Sequence, residues 1–379
     1  MKKLSILFTT ALLFFFACQK DAPAPTADKP SDPKMAAIES RLAKALAVAD
    51  ALLADKDDAA ADRNNVTLPA GSVNGLAAAI AAAGPGGKVT VACGNHYESG
   101  TVEITFPVKI VGQSGATIKF SGLPDPVSVP GLTSLVPALF VHGAADVKIS
   151  GLKLKTSGGD AVCGILLQDA PNAKLLDNDI SHFQFPVYLA GADNGKISNN
   201  DIQGLGSGFA GGFQYGITVA DGAAVLIADN KVSQFGTGIF SCHKDGSVLR
   251  NTLNDNTVGI LLCTSPAVFE LPDGSISGAA ESSNHYLVSK NEADGNLWGY
   301  LVIDGAFDNV LFKNKASNSG LYDIELAGET SRFGVLSPTS SNSTVVSNGN
   351  LNNVLIKDCA PGSVIIGGTL VDTNADPCF

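Results

Sequence analysis

Between residues 161 and 326 the chain alternates two kinds of stretch. The first is apolar, of period 2, and entered through a small or special residue: Gly164-Ile165-Leu166-Leu167, Pro186-Val187-Tyr188-Leu189, Gly216-Ile217-Thr218-Val219, Gly238-Ile239-Phe240-Ser241, Gly259-Ile260-Leu261-Leu262 and Gly299-Tyr300-Leu301-Val302. The second is a polar triplet centred on Asn178, Asn200, Asn230, Asn251, Asn291 and Asn314. The asparagines step by 22, 30, 21, 40 and 23 residues, and the apolar strands from Ile165 to Ile324 step by 22, 30, 22, 21, 40 and 24. The two beats therefore keep register along the chain.

A period of roughly 20 to 50 residues marks a solenoid or propeller, whose units bury their apolar faces only by stacking on one another. Coils of about 21–23 residues are too short for four propeller strands or a helix pair. Period-2 alternation predicts short strands half buried against an interior. Wound through tight turns, these give an all-β parallel β-helix. Asparagine suits a tight corner because it tolerates left-handed backbone, and its amide can bond the amide one coil away. Left unpaired and buried, each would cost roughly 1–3 kcal/mol, so repetition makes the column tolerable.

This phrase resembles the right-handed parallel β-helix of the pectin-lyase-like superfamily, in particular its NosD-like branch, over roughly residues 66–370. The resemblance implies a fold, and a fold hosts many chemistries.

At the N-terminus Lys2 and Lys3 precede an apolar run ending at Ala17-Cys18. A basic start and an apolar stretch this short read as a secretory signal over residues 1–18. Small residue then cysteine resembles a bacterial lipobox, which makes Cys18 the lipidated residue, and Gln19-Lys20-Asp21 looks like a surface-sorting tag. The expected address is the outer membrane or surface of a Gram-negative bacterium, with the lipid as the membrane contact. Residues 19–34, with Pro23, Pro25, Pro30 and Pro33, read as a tether. In residues 35–62, Ile38, Leu42, Ala45, Ala49 and Leu52 recur at helical spacing in alanine-rich sequence. This predicts a stalk helix or one docked on the β-helix domain, residues 66–379.

A second helix is expected over residues 72–83, capped by Ser72 or Asn74 and closed by Gly84-Pro85-Gly86-Gly87. It would cover the open apolar end of the solenoid. Insertions at residues 122–137, 203–215 and 264–285 flank the apolar strands, although a degenerate coil also fits the third.

A formal charge of −11 and a pI near 4.8 argue against nucleic acid. After Cys18 six cysteines remain, an even number that permits disulfides outside the cytoplasm. Cys242 and Cys263 each follow a strand-entry glycine by four residues, so they stack one coil apart, within reach of a disulfide. Neither has a zinc-like spacing. Methionine at positions 1 and 35 alone leaves no material for a thioether copper site.

Alternation turns Phe140, Leu166, Tyr188, Thr218, Phe240, Leu261, Leu301 and Glu325 out of the coil. Of these, Phe140, Tyr188, Phe240, Leu261 and Leu301 form a candidate platform for stacking sugar rings, or a column buried by the insertions. Around the asparagines, Asp177, Asp179, Asp201 and Asp229 offer carboxylates to Ca²⁺, while Lys290, Lys313 and Lys315 make the other half basic. A solvated ladder pairing charges across coils accounts for the same pattern. The aspartate pair with Gly-His-Gly of the polygalacturonase-like branch and the Asp-Pro-His of the alginate-epimerase-like branch are missing. A lyase of this fold needs a base and a cation, for which His243, Lys244 and Arg250 are the candidates, with His142 and His285 near the same edge. The leading expectation is a lipid-anchored β-helix that binds carbohydrate or a surface polymer without turnover and without a cofactor, Ca²⁺ aside. A lyase acting on a uronic-acid polymer and a structural or adhesive module are the alternatives.

Overall fold

The computed structural model describes residues 33–54 and 64–371, apart from 123–125, 130–131, 157–161, 207–213, 264–268, 271–275, 278–284, 304, 307, 328–342 and 347–354. The signal sequence, Cys18 and most of the tether lie outside the described residues. Helix α1 spans Pro33–Ala54, so it starts within the expected tether, and the rest of the expected 35–62 helix lies outside the described residues. No described helix is long and apolar enough to cross a membrane.

From Asn65 onward the chain is the expected right-handed parallel β-helix. Most coils contribute one strand to each of three sheets: sheet I, from Asn65–Leu68 to Val364–Ile366; sheet II, shorter, from Gly94–Glu98 to Lys315–Ser317; and sheet III, from Val102–Ile104 to Thr369–Leu370. Strands pair in parallel with the same strand of the next coil, without slippage across most steps. One residue per coil, such as Ile149, Leu175, Ile197, Ile227 and Val248 in sheet I, fills the interior at 0% exposure. Alternation fixes this, because inward positions are apolar and their neighbours point outward.

Each sheet meets the next at a corner turned by a left-handed residue. Between sheets I and II these are Asp177, Asn199, Asp229, Arg250, Lys290 and Lys313, with φ from 54° to 58°. Here the structure corrects the sequence reading: the left-handed residue precedes the ladder asparagine instead of being it. The asparagine keeps ordinary backbone and turns its amide inward. Asn178, Asn200, Asn230 and Asn251 each donate from Nδ2 to the Oδ1 of the next asparagine at 2.9–3.0 Å, and Asn291 does the same to Asn314. That Oδ1 also accepts the backbone N–H of the asparagine below it. The second Nδ2 proton reaches a carbonyl of the preceding coil, as in Asn230 to Ile197. A column of buried amides thus satisfies itself, which offsets the roughly 1–3 kcal/mol that a left-handed non-glycine residue costs.

A second, shorter ladder stands at the corner between sheets II and III. Asn256 Oδ1 accepts the Phe235 N–H at 3.0 Å and Asn296 Oδ1 accepts that of Asn256 at 2.9 Å. Its signal was present: Asn256 and Asn296 each follow a first-ladder asparagine by five residues.

Helix α2, Leu76–Ala83, buries Leu76, Ala79, Ile80 and Ala83 over the first coils. Its cap differs from expectation. Glu98 Oε1 accepts the N–H groups of Gly75 and Leu76 at 3.1 and 2.9 Å, while Ser72 bonds His96 and Asn74 accepts from Ser99. The coil beneath supplies the cap, which is a tertiary contact and invisible to local pattern. In the third insertion Phe269–Glu270 pairs antiparallel with Ile276–Ser277, unlike the parallel pairing of the coils.

Candidate functional site

The expected outward column on sheet III is in register from Phe140 through Leu166, Tyr188, Thr218, Phe240, Leu261 and Leu301 to Glu325. Its side chains lie outside the coil, in two apolar clusters separate from the interior core. Yet every member is buried, with Phe140 the most exposed at 9%. The column is therefore covered and does not stand open as a stacking platform. The physical reason is visible around Phe140. The strand Val127–Val129 folds back antiparallel on Leu132–His142, and Val129 and Leu135 pack on the outer cluster with Leu166 and Tyr188. Farther along, the Tyr215 ring lies parallel to Phe240 with centroids 4.9 Å apart. Burial drives the phenols of Tyr188 and Tyr215 far above their ordinary range, so both remain neutral.

The column turns polar at its C-terminal end. Trp298 Nε1 donates to Glu325 Oε2 at 2.7 Å, and Lys357, the register partner of Glu325, sits 5.2 Å from the Tyr322 ring centroid. Glu325 belonged to the expected column; Trp298 and Lys357 did not.

The candidate lyase group is not assembled. His243, a candidate base, is fully buried inside the coil. Its Nδ1 bonds Ser241 Oγ at 3.0 Å, its ring packs edge-on against Tyr286 at 4.7 Å, and its backbone N–H donates to the Tyr286 hydroxyl. Burial pushes the imidazole down to about 3, against the opposing effect of the Val225 backbone. Gly246 makes the room, since a Cβ there would stand 1.7 Å from His243 Nε2. Arg250 is also committed elsewhere. Its Nε and Nη2 fork onto Asp229 Oδ1 and Oδ2, both at 2.7 Å, and Nη1 reaches Asp50 of α1 at 3.0 Å. The hydrogen bonds it donates to Asp229 hold its pKa above the usual guanidinium value. Lys244 follows His243 in sequence and is half-buried. His142 bridges Glu103 at 3.6 Å, and His285 lies 3.4 and 3.5 Å from Asp245 and Asp308.

The acidic half is likewise engaged within the protein. Asp177 accepts from Asn199, Asp179 pairs with Lys153 at 3.3 Å, and Asp229 holds Arg250. Asp201 stands in register between Asp179 and Lys231. Among the described residues no three His, Cys, Asp or Glu side chains converge as a metal site requires. Charge pairing across coils, seen again in Lys315 with Glu292 at 2.5 Å, is what this face does. Cys242 and Cys263 are bridged, with Cα atoms 4.6 Å apart, on the outer side of sheet III. Cys93 and Cys163 are free thiols, the first exposed and the second buried.

One outer column escaped the sequence reading. Lys88, Lys109, Lys148, Lys174 and Lys196 are register partners in successive strands of sheet I, all half-buried. The signal was a lysine just before each inward aliphatic residue: Lys109-Ile110, Lys148-Ile149, Lys174-Leu175 and Lys196-Ile197.

Residues 137–280 match the family model for a right handed beta helix region. No curated protein matches the chain. Among solved structures, the A-module of the Azotobacter vinelandii mannuronan C-5 epimerase AlgE4 is 14% identical with a TM-score of 0.44, covering 81% of this chain and 96% of its own. The surface adhesin PfbA of Streptococcus pneumoniae is 11% identical with a TM-score of 0.44, over 78% and 88%. A PL6 alginate lyase solved with a trisaccharide is 11% identical with a TM-score of 0.44, over 84% and 89%. Likeness at this level says nothing about the chemistry of this chain.

Proposed function

We infer that this protein is a lipid-anchored β-helix of the bacterial cell envelope that binds an extended carbohydrate or other surface polymer along its side, without turning it over. The observation that carries this reading is the register of the outer faces. Successive coils place the same residue position one above another at the strand spacing of about 4.8 Å, so any side-chain chemistry that recurs in sequence becomes a straight repeating row. A repeating row is complementary to a repeating ligand. The lipobox-like Ala17-Cys18 after a short apolar run supports export and anchoring. Burial of the Phe140-to-Leu301 column supports a second reading, a structural surface module in which that column only stabilises the fold.

The test is direct. A glycan array probed with the full chain should retain neutral or acidic polysaccharides without releasing unsaturated ends that absorb in the ultraviolet, and Cys18→Ala should abolish fatty-acid labelling. Retention by no polysaccharide would leave the structural module as the better reading. Release of unsaturated products would make the protein a lyase.

A further inference from the structure

The two ends of the solenoid are finished differently. At the first, α2 lays Leu76, Ala79, Ile80 and Ala83 over the opening coils. At the other, Val364–Ile366 and Thr369–Leu370 are the last strands of sheets I and III, and among the described residues no helix follows them. Ile365 is the inward residue of its strand, yet it is only half-buried, whereas its register partner Val345 is 1% exposed. Leu355, Val364 and Leu370 of these last coils are exposed, Leu370 at 59%. An apolar edge of this kind is a template for pairing with another chain, and a solenoid needs a terminal cap to stay soluble.

Cys359 is held in a disulfide. Its partner follows by elimination among seven cysteines. Cys242 and Cys263 bridge each other, and Cys93 and Cys163 are free. Cys18 and Cys378 remain, and lipidation, inferred above, takes up the sulfur of Cys18. Reach favours Cys378 as well. The Val371 N–H donates to the Ile356 carbonyl, which sets Val371 over Lys357, two positions before Cys359. Cys378 comes seven residues later, a span of up to about 25 Å when extended, ample for the roughly 4.4–6.8 Å between Cα atoms that a bridge requires. Register then dictates the path. Cys359 stands in the outer row of sheet III that holds Cys242, Cys263, Ile303 and Ala327. Cys242 meets Cys263 in the next coil, but Cys359 has Ala327 on one side, and the pairing of Leu370 with Ile356, carried forward, would bring Thr373 to the other. Cys378 therefore reaches Cys359 only where the chain leaves the ladder and turns back.

We propose that a Cys359–Cys378 disulfide turns residues 372–379 back over the last coil, so that the chain's own C-terminal segment closes this end against pairing with a second copy. The segment suits that task. Pro377 has no N–H to offer a ladder, and Asp372 and Asp376 set like charge against the same segment of another copy.

The experiment digests the full chain without reductant and maps its disulfides by mass spectrometry. A fragment joining Cys359 to Cys378 is expected, while Cys359 joined to Cys18 or to a second chain would overturn the pairing. Sedimentation across a concentration series then tests closure. Wild type should stay monomeric, whereas Cys359→Ser with Cys378→Ser, which leaves no new thiol, should shift to dimers or longer assemblies and melt several degrees lower. Val364→Lys added to that pair should return it to monomer, because a charge on the edge blocks pairing. Circular dichroism at low concentration checks that the variants keep the β-helix. Serine variants as monomeric as wild type would overturn the closure, as would wild type that assembles equally, or assembly that Val364→Lys leaves untouched. None of these results bears on polymer binding, which the glycan array reads separately.

Discussion

Asn178 to Asn314 stand one above another inside the corner between sheets I and II, and Lys88 to Lys196 stand one above another on the outside of sheet I. The same coil-to-coil register produces both columns. An amide is donor and acceptor at once, so stacking identical copies closes a chain of hydrogen bonds, and burial strengthens it. An ammonium is donor only and charged, so stacking identical copies accumulates repulsion. The register of a solenoid is thus indifferent to what it repeats: it makes one column cohesive and sets like charges in line in the other, where each lysine makes its own contact within the chain.

The largest expected effect breaks the cohesive column. Asn230→Ala removes the acceptor for both the N–H and the Nδ2 of Asn200. Two orphaned buried donors at roughly 1–3 kcal/mol each should cost about 2–6 kcal/mol in urea unfolding. Asn178→Ala sharpens the contrast, because its Oδ1 accepts the Leu152 N–H alone from the coil below, and it should cost about half as much. Losses below about 1 kcal/mol for Asn230→Ala would mean the ladder is not cohesive.

Another interior polar group should show itself through pH. His243 has its folded pKa depressed to about 3, below the unfolded value of 6.5. The sign follows: its neutral form fits the folded chain, so stability is intact above the unfolded value and is lost progressively as pH falls from there toward about 3. His243→Gln, which does not titrate, should flatten that part of the stability-against-pH curve. An unchanged slope would show that His243 titrates normally in the folded protein.

Packing around the same ring gives a smaller effect. Gly246→Ala places a methyl 1.7 Å from His243 Nε2, and overpacking of this kind should cost about 1–3 kcal/mol. With His243→Ala the double variant should cost less than the sum, since the second change vacates the space the first needs. Strict additivity would argue against the contact.

The smallest effect belongs to the lysine row. Lys148→Gln with Lys174→Gln should shift stability by no more than about 1 kcal/mol, and the shift should vanish at high salt. A large loss that survives salt would make the row structural, and the two columns would then no longer differ in kind.

Much of this was legible beforehand. The interval between Asn178 and Asn200, shared with Ile165 and Val187, already specified coil length and strand direction, because alternation and repeat length are local properties of the chain. Cys242 and Cys263 were placed one coil apart from their common offset to Gly238 and Gly259, and they are bridged. Site residues were harder to read. His243 lay two residues beyond a strand and looked like a turn, but the strand direction persists long enough to drive it inside, where Gly246 leaves space. Arg250 was a candidate cation for a lyase, and the corner geometry sets it beside Asp229, twenty-one residues away, in the pairing of charges across coils that was the other account of these positions.

What the sequence determined by itself is the repeating unit: which positions are apolar, which are amide, and how far apart they recur. Those are enough to require stacking, because no single coil can bury its own apolar face. The tertiary structure decided what covers what. Glu98 capping α2, Val129 and Leu135 closing over the sheet III column, and Asp229 holding Arg250 are contacts between different coils or insertions, and their cost or gain depends on burial. Burial is a property of the packed molecule, so a side chain's exposure, its charge state and its freedom to meet a ligand are settled only when the coils have stacked.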